Sequence, residues 1–115
     1  MRILTLIFLF LNYPLFASFQ MNERMQQSYT RIINLEFEAA NKLLLIEQIE
    51  NPDNAIFVLH QNYIDFLTVI IGEDEDFFLS AKDLKFDRID LIKDGDDGSP
   101  YYLYAQAEVH LQWAF

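Results

Sequence analysis

The sequence contains no cysteine, which excludes a disulfide framework, a thiolate zinc site, an iron–sulfur cluster and a cysteine nucleophile. Glycine and proline number three each, too few for the turns of a many-stranded β domain and too scattered for a phosphate-cradling loop. Positive charge is also scarce. With 8 basic against 18 acidic residues the net charge is −10, which repels phosphate backbones and anionic membrane surfaces and argues against a nucleic-acid partner. What remains is a chain of 115 residues that is 52% hydrophobic and 23% charged, too apolar for a disordered tail and long enough for one compact unit. An all-α protein is the expectation.

The first residues read as an address rather than as fold. Arg2 supplies a positive start, Ile3 to Leu11 is an apolar run broken only by Thr5, and Asn12-Tyr13-Pro14 leads into the small residues Ala17-Ser18. That is the layout of a secretory signal peptide over residues 1–17, with cleavage after Ala17. A spanning helix needs about 20 apolar residues, and Asn12 with Pro14 cuts the run short, so no stable membrane insertion is expected after cleavage. No cysteine follows to carry a lipid anchor. Removing residues 1–17 takes away Arg2 and leaves 98 residues with a charge of −11, exported to a periplasmic or extracellular location.

From Met21 onward, apolar spacing predicts about five helices separated by short polar breaks. The first spans Asn22 to Asn34. The second starts near Glu36, places Phe37, Ala40 and Leu44 on one face widened by Leu43, Ile46 and Ile49, and stops at Asn51-Pro52. The third begins at the N-cap Asn54, carries the seam Ile56, Leu59, Tyr63, Phe66 and Ile70, and ends at Gly72. The acidic run Glu73 to Asp76 falls where a helix N-terminus favours carboxylates, opening a fourth helix from Asp76 to Lys93 with a phase slip near Lys85-Phe86. After the loop Asp94 to Gly98, Ser99-Pro100 is a helix start, and a fifth helix runs to the end. Ala105 to Trp113 alternates apolar and polar as a strand would, but its Ala, Gln, Glu and Leu content and the Ser99-Pro100 start favour helix. The ending Trp113-Ala114-Phe115 has no polar cap, and the last helix is apolar around most of its circumference. A chain truncated at its C-terminus is the reading that fits both.

The stretch from Asn34 to Asn54 resembles the second helix of a tetratricopeptide repeat and its following turn: an aromatic at Phe37, a small residue at Ala40, a large apolar residue at Leu44, and a closing proline at Pro52. The resemblance implies antiparallel helical hairpins starting an α-solenoid, with Ala40 admitting the paired helix closely and Pro52 ending one hairpin so that the next can stack. Glu47 stands where that motif prefers a second small residue; Arg24 and Gln27 stand where it offers Trp and Leu, and Ser28 supplies a small contact. With the signal peptide, the phrase NYIDFL from Asn62 to Leu67 and the final SPYYLYAQAEVHLQWAF, the chain is similar to the N-terminal part of exported bacterial tetratricopeptide-like proteins. Such a resemblance implies a protein- or peptide-binding scaffold and carries no activity.

Chemistry is thinly represented. Counted from Asp94, an EF-hand loop needs glycine at its sixth position and glutamate at its twelfth, where this chain has Ser99 and Ala105. His60 and His110, the only histidines, have no second histidine at ligand spacing and are expected at the surface or in a groove. None of Ser18, Ser28, Ser80 and Ser99 lies in a nucleophile-elbow or lysine-paired motif. No catalytic, cofactor-binding or metal residues are assigned. Tyr101, Tyr102, Tyr104 and Trp113 either form an interface of anchor side chains or pack on helices beyond Phe115. Three functions stay open: a non-catalytic scaffold for a protein or peptide, a small acidic cation-binding or inhibitor module, and a fragment without independent function that self-associates through its exposed last helix.

Overall fold

A computed structural model describes residues 18–114; residues 1–17, expected from the sequence to be a signal peptide, lie outside the described residues. The described chain is all-helical, with α1 Glu23–Ile33, α2 Phe37–Glu50, α3 Ile56–Gly72, α4 Glu75–Asp83, α5 Lys85–Lys93 and α6 Pro100–Gln112. The fourth sequence-predicted helix is thus two segments meeting at Leu84, beside its phase slip: Leu84 is C-cap of one and N-cap of the other.

Local chemistry sets the boundaries. Asn22 caps α1 by accepting the Met25 N–H at 2.9 Å, Asp74 caps α4 through the Phe77 N–H at 3.1 Å, and Ser99 caps α6 through the Tyr101 N–H at 3.2 Å, with Pro100 at the first helical position. The acidic run at Glu73–Asp76 therefore serves as cap and first turn. Gly72 is the last residue of α3, but the left-handed position beyond it belongs to Glu73, at φ 51°. Leu35 is also left-handed, at φ 61°, and its conformation lets the Glu36 N–H reach the Arg31 carbonyl at 2.8 Å, so that the chain reverses within three residues from α1 into α2.

Helix α3 is the centre. On one side it packs with the α1–α2 hairpin around Met25, Ile32, Ala40, Leu44, Ile56 and Ile64; on the other it packs with α4, α5 and α6 around Val58, Leu59, Ala81, Ile89, Ile92, Ala105, Val109 and Trp113. Both faces of α3 are therefore used, which explains its continuous apolar run. The seam predicted on α3 is buried at Ile56 and Leu59, half-buried at Tyr63 and Phe66, and exposed at Ile70. On α2 the expected widening fails: Ile46 and Ile49 face outward, Ile49 at 80% exposure, and the position turned inward between them is Glu47, at 0%. Ala105 and Val109 of α6, and Trp113 at its C-cap, lie inside as the helical reading requires, and no strand alternation survives.

Ahead of α1, residues Ser18 to Gln20 are stitched to the turn after α2. The Ser18 N–H donates to the Asp53 carbonyl at 2.6 Å, the Ala55 N–H donates to the Ser18 carbonyl at 2.8 Å, and the Asn54 side chain holds both the N–H and the carbonyl of Gln20. Phe19 packs against both halves of the core. Its ring crosses Gly95 so closely that a Cβ there would lie 2.5 Å from it, so any other residue at that position would displace the Phe19 ring.

Candidate functional site

Two polar centres are built into this fold. Glu47 accepts from Asn22 Nδ2 at 2.6 Å, Asn51 Nδ2 at 2.7 Å, Asn54 Nδ2 at 2.9 Å and Arg24 Nη1 at 3.0 Å, so a carboxylate with no exposed surface is surrounded by donors from α1 and the turn after α2. Burial alone would raise its pKa; the hydrogen bonds from Asn51, Asn22 and Asn54, together with the Arg24 charge, outweigh that and hold it below the usual glutamate value. The second centre is Asn62. Its Oδ1 accepts from Trp113 Nε1 at 2.7 Å and Arg88 Nη1 at 3.1 Å, its Nδ2 donates to Gln112, and Arg88 reaches on to Asp65. This set ties α3 to α5 and α6. Among the described residues no buried side-chain polar atom lacks a partner, so the buried atoms of both centres are satisfied within the protein.

A third pair is Ser28 Oγ and His60 Nδ1, 3.1 Å apart. It resembles the start of a catalytic dyad, and neither residue carried a motif to announce it. Both are buried, Ser28 at 0% and His60 at 1% exposure, so no acyl group reaches the hydroxyl, and the pair acts as an internal hydrogen bond between α1 and α3. Of the two placements expected for the histidines, surface or groove, His60 is nearly buried and lies at the floor of the groove between α1, α3 and α6, and His110 is exposed.

Burial pushes the His60 imidazole down from 6.5 to about 4. The folded value lies below the unfolded one, so the unfolded chain takes up the proton first. Stability is untouched above about pH 6.5, falls as the pH drops toward 4, and stops falling from this cause below that. At 1.36 kcal/mol per pH unit the loss is about 3 kcal/mol. Urea unfolding followed by the fluorescence of the single tryptophan, Trp113, should show this slope between pH 6.5 and 4, and His60→Gln should flatten it; an unchanged slope would assign the acid sensitivity elsewhere.

Among the described residues, a concave surface lined largely by aromatic side chains runs between α1, α3 and α6. This groove, of about 680 Å³, is walled by Tyr29, Tyr63, Tyr101 and Tyr104 and floored by Leu59 and His60. Tyr29 and Tyr63 have ring centroids 6.3 Å apart at 65°, Tyr101 and Tyr104 are 6.3 Å apart at 75°, and the hydroxyls of Tyr63 and Tyr104 approach to 3.4 Å. Beyond that hydroxyl pair a smaller cleft of about 290 Å³ continues past Tyr29, Tyr63 and Tyr104 to Glu108. The Tyr63 hydroxyl has its pKa raised by burial first, then by its bond to Tyr104 and by the Glu108 charge, so it stays a neutral donor or acceptor throughout the physiological range.

Of the aromatic residues singled out in the sequence, Tyr101 and Tyr104 line this groove. Tyr102 is half-buried outside its lining, and Trp113 belongs to the core, at 2% exposure, with its ring edge-on to Phe66 and its N–H given to Asn62. Trp113, offered with the three tyrosines as either interface or packing residue, is a packing residue among the described residues, and Asn62 supplies the partner that a buried indole N–H requires. Tyr29 and Tyr63 complete the groove from α1 and α3 and carried no local signal. Of the repeat-motif residues, Ala40 and Leu44 are buried in the hairpin core, Phe37 packs against its edge and Pro52 is exposed in the turn. In the acidic loop, the Asp96 carboxylate accepts the Gly98 N–H at 2.9 Å and closes the turn before α6. Among the described residues no three His, Asp or Glu side chains are placed to hold a metal ion, and no helix is long and apolar enough to cross a membrane.

Fold and site together define an all-helical protein with two saturated polar networks and one open, tyrosine-walled groove. No protein-family model, curated protein or solved structure matches the chain.

Proposed function

We propose that the protein is an exported, non-catalytic helical scaffold that receives a protein or peptide segment in the tyrosine groove. The observation that carries this reading is the groove itself, about 680 Å³ with four tyrosines contributed by three different helices. Tyrosine offers a large rigid surface with one polar tip and orders little on binding, which is why such side chains recur as binding anchors. The tetratricopeptide-like reading of α1 and α2 belongs to the same proposal and draws support from the buried Ala40 and Leu44 and from the buried Ser28 on the facing helix. Export rests on the composition of residues 1–17. We place self-association on Leu103, Ala107 and Leu111, which follow one another at four-residue spacing along the exposed side of α6, Leu103 at 73% exposure.

A peptide-display selection against the full chain tests the scaffold. Peptides enriched on it should lose at least about tenfold in affinity for Tyr101→Ala, the cost of one central anchor. Enriched peptides that bind this variant as well as the parent would remove the groove as their site and the reading with it.

A further inference from the structure

The sign of charge around the groove says what kind of side chain it takes. Neither its lining nor that of the adjoining cleft includes a lysine or arginine; the one ionised group is Glu108, and His60 is neutral. The chain's own cations are mostly engaged elsewhere. Arg24, Arg31, Lys42 and Arg88 make ion pairs, and Lys82 and Lys85 sit over the rings of Phe78 and Phe86 at 5.5 Å. Around all of this stands a net charge of −10.

The four phenol rings are inclined at 65° and 75° within their pairs, so their faces turn in different directions along the open groove. Ring faces carry the negative end of the aromatic quadrupole and attract organic cations whose hydration is weak or already lost. A carboxylate beyond the rings adds attraction from the same direction, and the overall negative field raises the local concentration of cationic ligands. An apolar ligand would use the rings but gain nothing from Glu108 or from the absence of competing cations.

We propose that the tyrosine groove is an aromatic cage for an organic cation, the lysine or arginine side chain of a basic peptide seated among Tyr29, Tyr63, Tyr101 and Tyr104 with Glu108 behind it. This rests on the scaffold reading and names the class of segment it binds. Self-binding through the chain's basic residues is disfavoured by their internal partners.

Calorimetric titration of the full chain with three probes tests it: a nine-residue peptide alternating lysine and glycine, the same peptide with norleucine at every lysine, and tetramethylammonium chloride. The lysine peptide should bind about tenfold or more tightly than the norleucine peptide, and tetramethylammonium should compete with it. Tyr104, at 49% exposure, can be replaced without disturbing the core; Tyr104→Leu keeps apolar bulk but removes a π face. It should weaken the lysine peptide by about five- to tenfold and the norleucine peptide much less. Equal binding of the two peptides overturns the cage and leaves the scaffold. Tetramethylammonium bound with neither peptide overturns the proposed occupant, because the rings then take a cation but no basic peptide, and overturns the peptide scaffold with it. Lysine-peptide binding unaffected by Tyr104→Leu is bulk electrostatic attraction and overturns the cage, as does no binding of any probe.

Discussion

Glu47→Ala should lower the unfolding free energy by about 3 kcal/mol, read as a fall in the urea midpoint of Trp113 fluorescence. Removing the acceptor of a buried charged network strands its donors, at a cost of about 3–5 kcal/mol. Asn22, Asn51 and Asn54 each give Glu47 an amide N–H, and Arg24 gives a guanidinium, so the substitution takes a bond from four donors at once and strands the amides of Asn22 and Asn51, while Asn54 Nδ2 keeps the Gln20 carbonyl. The lower end applies because Arg24 is 27% exposed in its side chain and keeps its bond to Glu50. Glu50→Ala is the contrasting case. That carboxylate is mostly exposed, and its pair with Arg24 should cost no more than about 1 kcal/mol. The sign of the pH effect follows from the depressed pKa of Glu47: its stabilisation is complete above the ordinary glutamate value of 4.5 and is lost as the pH falls through its lower folded value. The Glu47 loss therefore begins near pH 4.5, at the lower end of the His60 window, and continues below it, so the two contributions should be separable by Glu47→Gln and His60→Gln. A Glu47→Ala midpoint equal to that of Glu50→Ala would show that the network does not hold the hairpin to the following turn.

Asn62→Ala should also cost about 3 kcal/mol, through a different route. The side chain is at once the acceptor for Trp113 and Arg88 and the donor to Gln112. Its loss leaves the indole N–H and the Gln112 carbonyl oxygen buried without partners, each worth about 1–3 kcal/mol, while Arg88 retains Asp65. Because α6 is tied to α3 at this point, hydrogen exchange in α6 should accelerate more than exchange in the α1–α2 hairpin. Asn62→Asp keeps both accepted bonds, and Gln112 can turn its amide to donate, so it should be much milder. Equal losses for Asn62→Ala and Asn62→Asp would contradict the bond-by-bond account.

The helices were legible in the sequence where a single residue type has one local task. The acidic run Glu73 to Asp76 announces a helix start, Ser99 announces a cap, Pro52 announces an ending, and Ser99-Pro100 decides Ala105 to Trp113 in favour of helix against its own alternation. What was not legible depends on partners remote in the chain. A glutamate on an amphipathic helix reads as a solvated side chain, and Glu47 goes inside only because Asn22 and Arg24 stand opposite it, 25 and 23 residues away. Its burial turns α2, which is why Ile46 and Ile49, apolar by type, face out. The groove shows the same division. Tyr101 and Tyr104 stood together near the end of the chain, whereas Tyr29 and Tyr63 join them only when α1 and α3 are packed. Trp113 misled because a tryptophan close to a chain end suggests an anchor, and its hydrogen-bond partner lies 51 residues earlier.

The most direct measurement of the central claim is a heteronuclear NMR titration of the full chain with the lysine–glycine peptide. The account predicts perturbations concentrated on the rings of Tyr29, Tyr63, Tyr101 and Tyr104 and on the Glu108 region, with Asp94 to Asp97 unmoved. Perturbations gathered on the Asp94–Asp97 loop, with the four tyrosines silent, would contradict it.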